Sequence, residues 1–178
     1  MKRIILSFTI LLFAVTAWSQ SGSKTKSFSW QGLSMSYPDN YIITDKEYDR
    51  QNKTYTFICT TPDDVEAVSM ATISFSKNLA KDLSTSLDRK VFFNDIIPAI
   101  VSEMESTFKS LKTSEVKKFP ISYSNVSADY TATVESVDVQ GEIVVFIQKD
   151  FIVTCILTAD SPERVQELDE IIKTITVK

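Results

Sequence analysis

The chain has 178 residues, with 23 acidic against 19 basic side chains for a net charge of −4, no histidine and two cysteines. No basic segment is present to track a phosphate backbone, so nucleic acid is not an expected partner. Without histidine the Ser-His-Asp and Cys-His arrangements are impossible, and two cysteines are too few for a thiolate zinc site.

Residues 1–19 read as a cleavable export signal. Lys2 and Arg3 precede an apolar run from Ile4 to Val15, and the small residues Ala17 and Ser19 stand third and first before the expected cut. The run is shorter than the ~18 apolar residues needed to span a bilayer. No cysteine follows it before Cys59, so no lipid-anchored cleavage box is present. Loss of Lys2 and Arg3 leaves 17 basic residues against 23 acidic ones, a net charge of −6. The expectation is a secreted or periplasmic chain, residues 20–178, forming a single domain with no membrane insertion after signal cleavage.

In chain order, the first predicted element is a hairpin. Phe28 and Trp30 alternate with Ser29, whereas Leu33, Met35 and Tyr37 alternate with Ser34 and Ser36, so the apolar parity switches across Gln31 and Gly32. A two-residue turn there pairs Trp30 with Leu33 and Phe28 with Met35 on one face. Pro38 stops the second strand, Asp39 and Asn40 supply a turn, and residues 41–43 begin a new extended piece. Residues 45–53 are polar and read as a loop, residues 54–60 as a strand, 61–64 as a turn, and 67–75 as a longer strand.

The period then changes. Leu87, Val91, Phe92, Ile96, Ile100, Met104, Phe108 and Leu111 recur every three to five residues, as in an amphipathic helix, with Ser86 as its N-cap. Pro98 predicts a kink, or a fresh start at Asn94 or Asp95. Beyond it, Val126, Ala128, Tyr130, Ala132 and Val134 alternate with polar residues. A second Gln-Gly pair, Gln140 and Gly141, is read as another hairpin turn. Residues 143–147 and 151–157 then pair across Lys149 and Asp150, with apolar residues on both faces, which predicts cover on both sides. Asp160, Ser161, Pro162 and Glu163 open a helix with a buried stripe of Val165, Leu168, Ile171 and Ile172. Residues 174–177 return to extended structure.

The predicted fold class is therefore α+β, an antiparallel β-sheet flanked by helices on both faces. The hairpin leading into LSMSYPDNY, the long helix, the three-strand meander and the terminal SPERVQELDEIIKTI segment together resemble the PsbP-like superfamily. That superfamily includes the extrinsic photosystem II subunit PsbP and periplasmic DcrB-like proteins. The resemblance covers nearly the whole mature chain, and implies an α/β/α sandwich with a non-enzymatic accessory or binding role. The histidines used for metal-linked work in the photosystem branch have no counterpart here, so no functional residue is carried over.

Candidate sites are few. Asp45, Glu47 and Asp49 alternate in a polar stretch but lack the glycine and terminal glutamate of a calcium loop, and turn chemistry accounts for Asp63, Asp64 and Glu66. Trp30, Tyr37 and Tyr41 are the candidate groove-lining residues, set against core packing as the default for aromatics at strand spacing. Cys59 and Cys155 admit a disulfide in an exported chain, or two buried thiols, and their place inside apolar strands fits the second better. No catalytic residue, cofactor or metal is assigned. The expected function is a non-catalytic accessory or binding protein of the envelope, its partner an envelope protein or a small ligand. The alternatives are an interaction module of an envelope complex and a histidine-free acid- or metal-dependent enzyme.

Overall fold

The computed structural model describes residues 24–62, 68–77, 83, 86–118, 125–134 and 136–178. The expected signal and the turn residues Asp63, Asp64 and Glu66 lie outside the described residues. Strands β1 (Thr25–Trp30) and β2 (Leu33–Pro38) form the hairpin read from the parity switch, with Phe28 opposite Met35 and Trp30 opposite Leu33. Gln31 and Gly32 both take positive φ, 51° and 92°, as the tight turn that matches strand twist requires.

The polar stretch 45–53 departs from the expected loop. Strand β3 (Ile42–Asp49) continues through it and pairs with β4 (Thr54–Thr60), with a register shift between Thr44 and Glu47 and a φ of 49° at Asp45. Its polarity is that of an edge strand, since β3 ends the sheet, and the bulge and charges blunt that edge against foreign strands. Strand β5 (Ser69–Ser76) follows, then helix α1 (Ser86–Met104). The helix runs through Pro98 without splitting at Asn94 or Asp95. It ends earlier than its spacing suggests: Thr107 N and Phe108 N both donate to Met104 O, and Leu111 belongs to β6 (Lys109–Thr113).

Strand β7 (Lys117–Lys118) leads to β8 (Asn125–Val134), β9 (Val137–Gln148) and β10 (Phe151–Ala159). Here the reading of Gln140 and Gly141 as a turn is corrected. Val134 pairs with Val137, so the turn falls between them, where Ser136 has a φ of 76°. Gly141 lies inside β9, opposite Tyr130 on one side and Thr158 on the other. A Cβ there would sit 1.8 Å from Leu157 O and 2.6 Å from the Tyr130 ring. Glycine is present because Tyr130 crosses its backbone to donate to Leu157 O at 3.0 Å. The β9–β10 hairpin has the expected register, with Phe146 opposite Val153 and Val144 opposite Cys155.

Helix α2 (Pro162–Lys173) starts at Ser161, whose extended backbone (φ −144°) makes it the N-cap, although its side chain makes no capping hydrogen bond. Asp160 lies 3.5 Å from Arg164 one turn on. At the other end Thr174 Oγ1 donates to Ser36 O and accepts from Ser36 N, both at 2.9 Å, and ties the helix to β2. The chain then closes as β11 (Thr176–Val177) beside β2.

The described strands form an antiparallel sheet in the order β3-β4-β5-β10-β9-β8-β6, with β7 also on β8, and a small sheet β1-β2-β11. On one face of the large sheet Phe93, Ile97, Ile100 and Met104 of α1 pack on Val126, Ala128, Tyr130, Ile143, Val145 and Ile152. On the opposite face Leu33, Met35 and Val177 of the small sheet, with Leu168, Ile171 and Ile172 of α2, bury Phe57, Cys59, Ile73, Phe75, Val153, Cys155 and Leu157. The antiparallel α+β class is as expected. The symmetric layering of helices on both faces gives way to an unequal one, because the second face is shared between a small sheet and one helix.

Candidate binding surface

The aromatics singled out in the sequence are placed in the interior. Tyr41 is fully buried, its hydroxyl 2.7 Å from Ser69 Oγ and donating to Glu167 Oε2 at 3.1 Å. Burial pushes its pKa up to about 12. Tyr37 is 9% exposed within the core shared by β2 and α2. Trp30 is part-buried and meets Tyr55, Phe75 and Phe57 edge-on at 5.3, 6.0 and 6.4 Å. These three residues line none of the four clefts considered below.

The cysteines are two free, buried thiols. Cys59 on β4 pairs with Ala71 of β5, and Cys155 on β10 pairs with Ile73 on the other side of β5. A whole strand separates them, about 9–10 Å at ordinary strand spacing, beyond the reach of a disulfide. Burial raises both thiol pKa values, that of Cys59 to about 12, which makes them poor nucleophiles.

Among the described residues, the surface that stands open is the half of the second face that the small sheet and α2 leave to β8 and β9. Registers Asn125–Phe146, Ser127–Val144, Asp129–Glu142, Thr131–Gln140 and Thr133–Asp138 place these side chains on that face. The apolar character expected on both sides of residues 143–147 and 151–157 holds in β9 and β10, and β8 alternates apolar and polar as its sequence reads. Three clefts lie in a row along it. The first, about 560 Å³, runs over Asn125, Ser127, Val144 and Phe146 against Asp169, Ile172 and Lys173 of α2. The second, about 490 Å³, spans Asp129, Thr131, Gln140 and Gly141 against Pro162 and Val165. The third, about 400 Å³, shares Lys112, Thr131 and Gln140 with the second and ends at Thr133 and Asp138. Together they make a trough with α2 as one wall and β6 as the other bank, about 30 Å long at the rise of a strand.

Its charge is uneven. The lining holds five carboxylates, Asp129, Asp138, Glu142, Asp160 and Asp169, against Lys112 and Lys173. Lys173 is already committed to Asp169 at 2.7 Å and Glu170 at 2.8 Å, both on its own helix. Asp129 and Glu142 face each other directly, a like-charge pairing that costs stability in a sheet. Lys117 offsets it from β7, with its ammonium 2.6 Å from Asp129 Oδ2. That hydrogen bond, helped by the Glu142 charge, raises the lysine's pKa. At the far end Asn125 Oδ1 and Gln148 Oε1 are buried without a hydrogen-bond partner among the described residues. Asp129, Asp160 and Asp169 each have a cation beside them, and Arg164 Nη1 is itself a buried donor without a hydrogen bond, so the acceptors in surplus are Asp138, Glu142 and the two amide oxygens.

None of these lining residues was marked as a site from sequence. The signal was present in the alternation of Ser127, Asp129, Thr131 and Thr133, which marks one face of β8 as polar. What the alternation does not say is where α2 lies.

Neither a protein-family model nor any curated protein matches the chain. Among solved structures it is similar to cyanobacterial PsbP (CyanoP) from Synechocystis sp. PCC 6803, with 15% identity and a TM-score of 0.49 over 88% of this chain and 94% of that one. LpqN, involved in cell envelope biogenesis of Mycobacterium tuberculosis, is similar at 11% identity and a TM-score of 0.42, over 87% of this chain and 91% of LpqN. PA94, a protein of unknown function from Pseudomonas aeruginosa, is similar at 15% identity and a TM-score of 0.41, over 84% and 91%. At these identities and TM-scores the likeness carries no functional argument, and the chemistry of the trough carries the functional reading.

Proposed function

We propose that this chain is a secreted or periplasmic, non-catalytic binding protein of the cell envelope, and that its trough receives an extended, basic segment of a partner protein. The observation that carries this reading is the uncovered half of the sheet face, with five carboxylates against two lysines along about 30 Å. A row of shallow clefts suits a strand-like segment better than one compact ligand, and the surplus of acceptors suits donors such as lysine, arginine and backbone N–H. The absence of histidine supports a binding role over catalysis, as does the absence of any gathering of three Asp, Glu or Cys among the described residues. No helix among the described residues is long and apolar enough to cross a membrane. Within this reading α1 and α2 are the two helical layers of a PsbP-like α/β/α sandwich, with the small sheet inserted beside α2.

Exposed ion pairs contribute about 0.2–1 kcal/mol each, so a bare basic peptide is expected to bind weakly, with a Kd of roughly 0.2–1 mM at low salt. Titration of the isotopically labelled protein with a peptide of alternating lysine and threonine is expected to shift amide resonances of β8, β9 and α2. Added salt is expected to weaken it several-fold. Equal shifts with a glutamate–threonine peptide, or shifts confined to other surfaces, would sink the proposal.

A further inference from the structure

A second surface points to a different kind of ligand. A fourth cleft, about 340 Å³, lies where the β1–β2 turn, the β3–β4 turn, the end of β5 and the start of β10 meet. Among the described residues its lining includes three lysines, Lys53, Lys77 and Lys178, and no acidic side chain. In a chain where acids outnumber bases by 23 to 19 this is a local reversal of charge. Among the described residues none of the three ammonium groups lies within ion-pair distance of a carboxylate, whereas Lys117 and Lys173 are both paired.

The rest of the lining is Gln31, Gly32 and three aromatics, Tyr48, Tyr55 and Phe151. Tyr48, 46% exposed, stacks on Tyr55 with ring centres 4.5 Å apart, and Tyr55 stacks in turn on Phe75 at 5.3 Å. Phe151 completes the floor, with Lys77 Nζ poised 5.7 Å from its ring centre. The geometry is held from behind. Ser76 Oγ donates to Lys53 O at 3.2 Å and fixes the lysine-bearing turn beside the end of β5, while Lys178 N donates to Gly32 O at 2.9 Å. Gly32 closes over Phe151, an added Cβ lying 3.4 Å from that ring, and its φ of 92° is what favours glycine there. Lysines outside any ion pair beside an exposed, stacked ring are the pairing that recognises a flat anion.

We propose that this cleft binds a small organic anion with a planar apolar body, an aryl carboxylate or aryl phosphate. The ring lies against the exposed face of Tyr48, and the anionic group sits between Lys53 and Lys77. This site is separate from the trough, opposite to it in charge, and stands whether or not a peptide binds there.

Phenyl phosphate is the probe. In the chain without residues 1–19 Trp30 is the sole tryptophan, and it packs on Tyr55 and Phe75 directly behind the cleft, so its fluorescence reports occupancy. Phenyl phosphate is expected to change that fluorescence with a Kd of about 0.1–1 mM, in competition with benzoate and not with neutral benzyl alcohol. Inorganic phosphate alone is expected to bind at least ~10-fold more weakly, because it lacks the ring. The Lys53→Asn/Lys77→Ala protein is expected to lose at least ~10-fold in affinity and Tyr48→Ala several-fold, while Lys77→Arg retains binding. Calorimetric melting of each variant establishes that it is folded. Unchanged affinity in the folded double variant, equal competition by benzyl alcohol, or no response at about 10 mM phenyl phosphate would each overturn the assignment.

Discussion

Gly141 shows how much a single residue can decide. Its missing Cβ lets Tyr130 lie across β9, where the hydroxyl meets Leu157 O and Thr158 Oγ1. Gly141→Ala is expected to cost at least about 3 kcal/mol, since backbone and ring would both have to move. Tyr130→Phe, which removes only the hydroxyl, is expected to cost about 1–2 kcal/mol. Urea unfolding of the two variants checks the order, and a milder effect for the alanine would contradict it. Burial sets the pH response at the same scale. Cys59, Tyr41 and Tyr130 are acids held neutral, with pKa values raised to about 12 from ordinary values of 9.0 for the thiol and 10.0 for the phenols. A raised folded-state pKa contributes stability that is complete below the unfolded value and is lost as pH climbs toward the folded one. The melting temperature is therefore expected to hold to about pH 9 and fall steadily above it; a melting temperature rising through that window would be inconsistent with these burials.

At the scale of elements, the same dipeptide was read correctly once and incorrectly once. Apolar parity switches across Gln31 and Gly32, and the hairpin is there. Across Gln140 and Gly141 the odd positions 137, 139, 143 and 145 stay in phase, while the switch falls between Val134 and Val137, where the chain turns. Parity, not the Gln-Gly pair, marks the turn. The end of α1 was harder to read, because Phe108 and Leu111 continue its spacing by coincidence and nothing local separates a last helical turn from an edge strand. The polar β3 was missed because an edge strand need not alternate. Pro98 lies exposed inside α1, where it withholds a hydrogen bond without filling core. Pro98→Ala is expected to stabilise the protein by about 1–3 kcal/mol, measured by chemical denaturation. A loss of stability would mean that the proline shapes the helix's fit against β8.

Across the whole molecule, the fold class and the export expectation came from patterns that accumulate along the chain, whereas the two candidate sites depend on which strands the second layer leaves bare. No local pattern records where α2 comes to rest over β9, so Asp129, Glu142 and Asp169 became a set only in three dimensions. The aromatics Trp30, Tyr37 and Tyr41 stood out in sequence for their size, and size is first a core property. The central claim is that the acidic trough binds a basic, extended partner segment. The most direct test is the affinity of the lysine–threonine peptide for the native protein and for the Asp138→Lys/Glu142→Lys variant, measured by calorimetry at low salt. A loss of at least ~10-fold is expected, with the melting temperature little changed because both positions lie outside the two apolar cores. Unchanged affinity in the folded variant would contradict the account.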